Sequence, residues 1–140
     1  MVRLTNKHEQ HLSVLDDIAR NLKPVGKARI ASALVYKNSI VAVGFNRYKT
    51  HPFQSKYSAN SASIYLHAEN DVIVKALKIL TPKEISKSTL YISRMKFVES
   101  NSPDMVRGLS KPCCGCMASL AAFSISKVCY TCDDGSYDWL

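Results

Sequence analysis

The sequence lacks the features that mark several classes of protein. No apolar run in its 140 residues approaches the roughly 18 residues that a transmembrane helix needs. Glycine and proline are scarce, with five of each, and 46% of the residues are hydrophobic, which excludes a collagen-like or disordered chain. The amino terminus turns polar by Thr5 and never builds the apolar core of a secretory signal. We therefore expect one cytoplasmic domain over residues 1–140, with no membrane partner.

The cysteines do not form an even, regularly spaced set. There are five of them, and their uneven spacing speaks against a disulfide framework. Reduced thiols, some of them metal ligands, fit this pattern better.

Acidic residues are missing between Asp17 and Glu69. That segment holds eight of the 19 basic residues, so the rest of the chain, with eleven basic and eleven acidic residues, is neutral. The formal net charge of +8 is thus confined to one part of the sequence. A positive segment favours phosphate-bearing partners, from a free nucleotide to a nucleic acid strand. A solvated basic face that aids solubility would show the same composition.

Hydrophobic periodicity in the first half predicts a helix followed by a hairpin. Residues 4–22 carry apolar side chains at helical intervals, with Asn6 and Glu9 as a capping pair. Two β-branched runs, residues 30–36 and 39–45, lie about two residues apart and predict a β-hairpin. The polar, aromatic and basic stretch over residues 47–63 predicts a long functional loop.

The second half alternates helical and strand patterns. A helix is expected from about His67 until Thr81-Pro82 stops it, followed by a buried strand over Thr89–Phe97. A loop then leads to a third helix that starts at Pro112, and residues 128–131 predict a fourth strand. The predicted fold is a three-layer α/β/α domain whose mixed central sheet begins with an antiparallel hairpin.

Two short motifs stand at the starts of predicted helices and carry the chemistry. They are His67-Ala68-Glu69 and Pro112-Cys113-Cys114-Gly115-Cys116. One imidazole and two thiolates supply three of the four ligands of a tetrahedral zinc ion and leave one position for water. The positive ends of the two helices favour the thiolate forms. Glu69 is the candidate catalytic residue, since a carboxylate two residues beyond His67 can move protons to and from that water.

The pairing of H-x-E with P-C-x-x-C is a known signature of zinc-dependent nucleobase deaminases. Together with Gly44-Phe45-Asn46 after a hairpin, it resembles the cytidine/deoxycytidylate deaminase superfamily across residues 4–131, and most of all its phage-encoded deoxycytidylate deaminases. The resemblance implies a cytidine-deaminase-like fold and Zn²⁺ held by His67, Cys113 and Cys116. It also implies homo-oligomers, located in the host cytoplasm if the protein is phage-encoded. The implied reaction is hydrolytic deamination of a cytosine nucleotide, with dCMP giving dUMP and ammonia.

Candidate substrate-binding residues cluster before and within the first motif. The resemblance implies a sugar contact by Asn46, which would otherwise serve as a strand-end turn residue. Three basic residues near Asn46, namely Arg47, Lys49 and Lys56, are candidates for binding a 5′-phosphate. The full set of candidate substrate-binding residues is Asn46, Ala68, Arg47, Lys49, Lys56 and His51. Of the aromatic residues in this stretch, Tyr48, Phe53 and Tyr57, we expect packing against the domain.

Several alternatives remain open at this stage. The Gly-Phe-Asn-Arg string is also close to tRNA adenosine deaminases, so the base could belong to tRNA or single-stranded nucleic acid. A non-enzymatic, zinc-stabilised nucleic-acid-binding domain is a further alternative. Cys113 and Cys116 could instead form a structural four-cysteine zinc site with Cys129 and Cys132. Against that site, we expect Cys129 to be a buried core thiol, and Cys114 not to be a ligand.

Overall fold

The computed structural model describes residues 6–23, 28–57, 65–99 and 101–140, without the side chains of residues 48–50 and 65. The helices in these ranges are α1 (Lys7–Arg20), α2 (Pro52–Tyr57), α3 (Ala68–Ala76), α4 (Pro82–Ser86) and α5 (Cys114–Ala122). The strands are β1 (Arg29–Tyr36), β2 (Ser39–Phe45), β3 (Arg47–Thr50), β4 (Tyr65–Leu66), β5 (Thr89–Phe97), β6 (Met105–Gly108), β7 (Lys127–Thr131) and β8 (Tyr137–Trp139). None of these helices combines the length and apolarity of a membrane span.

Six strands form one mixed sheet. Its order is β2-β1-β5-β7-β8, with β6 paired to β5 beside that path, while β3 and β4 form a separate pair. β1 runs antiparallel to β2 and β5, and β5 runs parallel to β7. A parallel pair needs a crossover connection, and α5 lies in the one between β5 and β7. The predicted mixed sheet with an antiparallel hairpin at its start is confirmed.

Helices cover both faces of this sheet. On one face, Leu12 and Leu15 of α1 are fully buried against β1 and β5, and Cys129 of β7 lies in the same cluster. On the other face, Val72 of α3 and Leu120 of α5 are buried against the opposite side chains of the same strands. Each strand of the sheet centre therefore buries both of its faces, which gives the predicted three-layer α/β/α architecture.

Local sequence signals explain where these elements begin and turn. The backbone N–H of Glu9 donates to the Asn6 side chain at 2.8 Å, which is the expected cap of α1. Lys37 and Asn38 have φ of 50° and 64°, the left-handed pair of a type I′ hairpin turn. The hairpin and the fourth strand lie where the sequence predicted them.

Other parts of the prediction were wrong. Residues 47–57 form β3 and α2 instead of a loop, and the remainder of that stretch lies outside the described residues. The helix after His67 ends at Ala76, and Pro82 opens α4 because proline fits a first helical turn. The third helix, expected to start at Pro112, begins at Cys114 with Cys113 as its N-cap. β6 and β8 were not predicted, because they are too short to show a two-residue period. They gain order by pairing with β5 and β7.

A glycine brings the hairpin against the first turn of α3. A Cβ on Gly44 would lie 2.5 Å from the Val72 nitrogen and 2.7 Å from the Ala68 oxygen. Only glycine permits this approach of two backbones. Next to it, the Ser32 hydroxyl donates to the Ala68 oxygen at 2.7 Å. These contacts fix the position of the helix start that carries His67, Ala68 and Glu69.

Candidate metal centre and active site

Two N-cap side chains meet at the centre of the site. His67 is the N-cap of α3 and Cys113 is the N-cap of α5, yet neither side chain caps its own helix. N-cap positions usually carry Ser, Thr, Asp or Asn, and losing such a cap costs about 1 kcal/mol. His67 Nδ1 instead lies 3.6 Å from Cys113 Sγ and 3.3 Å from Cys116 Sγ. The two residues therefore face each other across the helix ends.

The spacing of these three side chains suits a zinc ion. Zn–N bonds of about 2.05 Å and Zn–S bonds of about 2.3 Å at a tetrahedral angle place nitrogen and sulfur about 3.6 Å apart. The two nitrogen–sulfur distances are 3.3 Å and 3.6 Å, and all three ligand atoms lie within 4.8 Å of one another. Cys116 is fully buried, His67 is half-buried and Cys113 is exposed. His67, Cys113 and Cys116 thus fit zinc, with one side of the group open to solvent.

The protonation of the cluster favours a cationic occupant. Hydrogen bonds from Cys116 and His67 lower the pKa of the Cys113 thiol to about 3. The same hydrogen bond to Cys113, with burial, raises the pKa of Cys116, and the bond to Cys113 raises the pKa of His67. These opposite shifts favour the thiolate form of Cys113 and the thiol form of Cys116. A metal ion bound to both sulfurs would displace the thiol proton of Cys116.

Glu69 lies beside this group, inside the protein. Its side chain is 5% exposed, and it sits in the first turn of α3, two residues after His67. Burial raises the pKa of the Glu69 carboxyl, and a hydrogen bond with the Cys116 thiol opposes that shift. A carboxyl group held at this place can accept and release a proton next to the metal centre.

A buried polar network behind the centre was missed by sequence reasoning. The Asn70 amide donates to Gln54 Oε1 at 2.6 Å, and the Ser119 hydroxyl donates to Asn70 Oδ1 at 2.6 Å. The backbone N–H of His67 donates to the same Gln54 oxygen at 3.1 Å. These bonds tie α2, α3 and α5 together. Asn70 and Ser119 each follow a metal-ligand candidate by three residues, and that one-turn spacing was the available signal.

Two of the candidate substrate-binding residues, Ala68 and Asn46, are buried. Ala68 is fully buried in the first turn of α3. Asn46 is 8% exposed, and its side chain accepts from the Ile30 N–H at 3.0 Å and donates to the Ala28 oxygen at 3.1 Å. Asn46 therefore continues the hydrogen bonding of the hairpin past the end of β2. An amide side chain has further donor and acceptor capacity, so its contact with substrate stays a prediction.

Arg47 is engaged by a buried carboxylate. Asp71 is 1% exposed and forms ion pairs with Arg47 and, at 2.9 Å, with Lys75. The backbone N–H of Phe45 also donates to Asp71, and both cations lie over the Phe45 ring. The Arg47 charge thus fastens β2 to α3, and its contact with phosphate stays a prediction.

The other candidates lie on or just before α2. The His51 ring nitrogen accepts the backbone N–H of Phe53 at 3.0 Å at the start of that helix. Lys56 is exposed, with its ammonium 5.4 Å from the Tyr57 ring centre, and the Lys49 side chain lies outside the described residues. Phe53 packs on Tyr57 and stacks on Phe123, as predicted for packing aromatics. Unlike Arg47, Lys56 forms no ion pair with a carboxylate of the described residues.

The four-cysteine alternative was wrong. Cys129 is fully buried in the core under α1, on the opposite face of the sheet from α5, which carries Cys116. Within the described ranges, the group that could hold a metal is His67, Cys113 and Cys116, without Cys129 or Cys132. Cys114 is an exposed free thiol, as expected.

Comparison with solved structures shows what the fold resembles. The chain is similar to the dCMP deaminase from cyanophage S-TIM5 in apo form, at 22% identity and a TM-score of 0.60, covering 91% of this chain and 85% of that chain. It is similar to the cytidine deaminase from Burkholderia pseudomallei, at 16% identity and a TM-score of 0.62, covering 95% and 91%. The cyanophage enzyme in complex with dCMP and dUMP matches at 22% identity and a TM-score of 0.52, covering 87% and 76%. These likenesses concern the fold.

Sequence comparison identifies the family. Comparison with the curated proteins finds no match. The family description that matches is the cytidine and deoxycytidylate deaminase zinc-binding region, over residues 5–132. That range contains His67, Glu69, Cys113 and Cys116, which the structure brings together. The chain therefore belongs to the family of zinc-binding cytidine and deoxycytidylate deaminases.

Proposed function

We propose that this protein deaminates dCMP hydrolytically to dUMP and ammonia. The observation that carries the proposal is a buried carboxyl, Glu69, beside a His67, Cys113 and Cys116 group that fits zinc and opens to solvent at Cys113. Free thiols at such a site persist in a reducing compartment, so we place the enzyme in the cytoplasm. We also propose that it is a single-domain chain that forms homo-oligomers. If the protein is phage-encoded, the compartment is the cytoplasm of the host.

The residues of the site have separate roles in the proposed reaction. His67, Cys113 and Cys116 would hold the zinc ion, which when bound lowers the pKa of a water molecule to about 7 and so makes it nucleophilic at neutral pH. Glu69 takes a proton from the attacking water and delivers it to N3 of the cytosine ring. The water oxygen bonds to C4, and Glu69 then takes the remaining proton of the new C4 hydroxyl and passes it to N4. The C4–N4 bond breaks, and the nitrogen leaves as ammonia. The pyrimidine keeps a carbonyl at C4, so the product is a uracil nucleotide.

A monophosphate is the favoured substrate because Lys56 forms no ion pair with any carboxylate of the described residues. Lys56 is on α2, two residues from Gln54, which binds the backbone of His67. A 5′-phosphate gains from such a cation, whereas a nucleoside does not. The cyanophage enzyme of similar fold has been solved with dCMP and dUMP, which is consistent with this choice.

Ammonia release across a set of substrates tests the proposal. The zinc-loaded chain is incubated with deoxycytidine, dCMP, dCTP, CMP, adenosine nucleotides and a short single strand. The expected result is turnover of dCMP at a kcat/KM at least tenfold above that of deoxycytidine. Turnover confined to the single strand would favour the polynucleotide alternative. Zinc binding without ammonia from any substrate would favour the non-enzymatic alternative.

A substitution at Glu69 ties that activity to this site. Glu69→Gln keeps the size and the buried location but cannot carry the proton. It should retain one zinc per chain and lose at least a hundredfold in kcat, since general acid–base groups contribute about 10² to 10⁴. His67→Ala should lose both zinc and activity. Full activity of Glu69→Gln would contradict the role given to this carboxyl.

A further inference from the structure

A relay of three buried side chains joins the two helices that carry the metal group. The Ser119 hydroxyl of α5 donates to Asn70 of α3 at 2.6 Å, and Asn70 donates to Gln54 of α2 at 2.6 Å. Gln54 in turn accepts the backbone N–H of His67 at 3.1 Å. All three side chains belong to residues that are at most 1% exposed. The relay thus begins one helical turn after Cys116 and ends on the backbone of His67.

The direction of every bond in the relay is fixed. A backbone N–H can only donate, so the Gln54 atom that meets the His67 N–H is the oxygen. That oxygen can only accept, so Asn70 presents its NH₂ group to Gln54 and its oxygen to Ser119. The Ser119 hydroxyl therefore donates, and it also lies 2.8 Å from the Cys116 carbonyl oxygen. A fully directed relay of this kind holds its members in one geometry.

Gln54 takes the place of a missing helix cap. In an ordinary capping box the third residue of a helix reaches back to the N–H of the N-cap residue, as Glu84 does to Thr81 in α4. In α3 the N-cap is His67 and the third residue is Asn70, but the His67 N–H bonds to Gln54. The start of α3 is therefore held from another helix, while the His67 imidazole stays with the metal group.

Stability alone would not favour a glutamine at this position. Gln54 Nε2 is buried and has no hydrogen-bond partner among the described residues. A buried donor without a partner costs free energy, which an apolar side chain of similar size would avoid. Apolar packing could hold the three helices together, but it would not fix the direction of a contact. What glutamine adds here is one oxygen that binds His67 and Asn70 at the same time.

We propose that this relay sets the distance between His67 and Cys116, and with it the affinity and the geometry of zinc binding. Its members, Gln54, Asn70 and Ser119, are positioning residues that act through the ligands. His67 Nδ1 and Cys116 Sγ lie 3.3 Å apart, one helical turn from the bond between Asn70 and Ser119. Residues that orient metal ligands contribute about 10- to 100-fold to metal affinity. The inference rests on the zinc site of the proposed function and is independent of which nucleotide is the substrate.

Zinc affinity and the absorption spectrum of bound Co²⁺ provide the test on the full chain. A chromogenic chelator competes for the zinc of the loaded protein, and Co²⁺ in place of zinc reports the ligand geometry through its visible absorption. Ser119→Ala leaves Asn70 Oδ1 without its donor and should weaken zinc binding about 10- to 100-fold, with an altered Co²⁺ spectrum. Gln54→Met keeps the volume and removes the oxygen, so it should have the same effects.

Ser93→Ala is the matched control on the opposite face of the sheet. Ser93 is also fully buried, and its hydroxyl donates to Asp16 of α1 at 2.5 Å. The control therefore removes a buried serine hydroxyl that bonds to another helix, as Ser119→Ala does. It should lower Tm at least as much, because its partner is a carboxylate, and it should leave the zinc affinity and the Co²⁺ spectrum unchanged.

The two zinc readouts decide the inference. Weaker zinc binding and an altered spectrum in Ser119→Ala, with neither in Ser93→Ala, would support it, also if Gln54→Met does not fold. Unchanged readouts in Ser119→Ala, or an equal loss of affinity in Ser93→Ala, would overturn it, since the relay would then contribute stability alone. Failure of the proposed function is distinguishable. An unaltered chain that binds zinc and releases no ammonia contradicts that function, while the zinc readouts of the variants still decide the role of the relay.

Discussion

Replacing Gly44 with alanine tests whether the hairpin sets the position of the active-site helix. The added Cβ would meet the Val72 nitrogen at 2.5 Å, the Ala68 oxygen at 2.7 Å and the Val72 Cα at 2.9 Å. All three atoms belong to the backbone of α3, so no side-chain rotation can relieve the overlap. Either β2 or α3 has to move, and α3 carries Glu69 in its first turn and His67 at its N-cap.

The size of the effect follows from the overlap. Overpacking a close contact costs about 1 to 3 kcal/mol, with larger values where backbone must shift. For a chain of this length that free energy corresponds to a fall in Tm of about 3 to 12 °C. Because a displacement of about 1 Å at a catalytic group can cost a hundredfold in rate, kcat should fall by one to two orders of magnitude.

Gly108→Ala is the matched control in the same sheet. A Cβ there would lie 3.3 Å from the Cδ atoms of Arg94 and Lys96, whose side chains can turn away. Its Tm should therefore change by less than about 3 °C, with kcat preserved. Thermal unfolding, zinc content per chain and ammonia release are measured on both variants. If Gly44→Ala matched Gly108→Ala in both Tm and kcat, the contact between β2 and α3 would not position the site.

The remaining predictions concern the phosphate and the core thiol. If Lys56 binds the 5′-phosphate as proposed, Lys56→Gln should raise KM for dCMP several-fold and leave KM for deoxycytidine, which has no phosphate, unchanged. Equal effects on both substrates, measured beside Lys78→Gln, would discard this role. Cys129→Ala should lower stability by about 1 kcal/mol through the lost core contacts and keep one zinc per chain, whereas Cys116→Ala should lose the metal. Loss of zinc from Cys129→Ala, measured by metal analysis, would contradict the assignment of Cys129 to the core under α1.

Long elements with a clear hydrophobic periodicity were predictable from the sequence. The hairpin, the helix α1 and the buried strand β5 carry enough residues for their periods to show, and their caps and turns agree with those periods. The elements that were missed are short. β6, β8 and α2 have four, three and six residues, and their order comes from partners that are distant in the sequence.

The residues of the site also fall into a group that was predictable from the sequence and a group that was not. The candidate metal group of His67, Cys113 and Cys116 was predictable because its residue types and spacing reflect the coordination chemistry of zinc, which does not depend on the rest of the chain. Glu69 was a candidate because it completes the H-x-E signature. The roles of Arg47 and Asn46 were less accessible. Asp71 engages Arg47 from one helical turn beyond His67, and Ala28 and Ile30 engage the Asn46 amide, and these pairings require the folded hairpin.

The sequence by itself determined the zinc-binding deaminase motifs and the layered α/β architecture, because both depend on local residue types and on periods that can be counted along the chain. Only the tertiary structure decided where the positive charge is concentrated. The segment between Asp17 and Glu69 holds the entire net charge, yet its basic residues are spread over several elements, with Lys37 at one end of the sheet and Arg47 near the other. One cavity of about 260 Å³ is lined by four lysines, and three of them, Lys7, Lys87 and Lys127, come from parts of the sequence that are neutral overall. Electrostatic potential depends on distance in space, and folding, not sequence order, sets those distances.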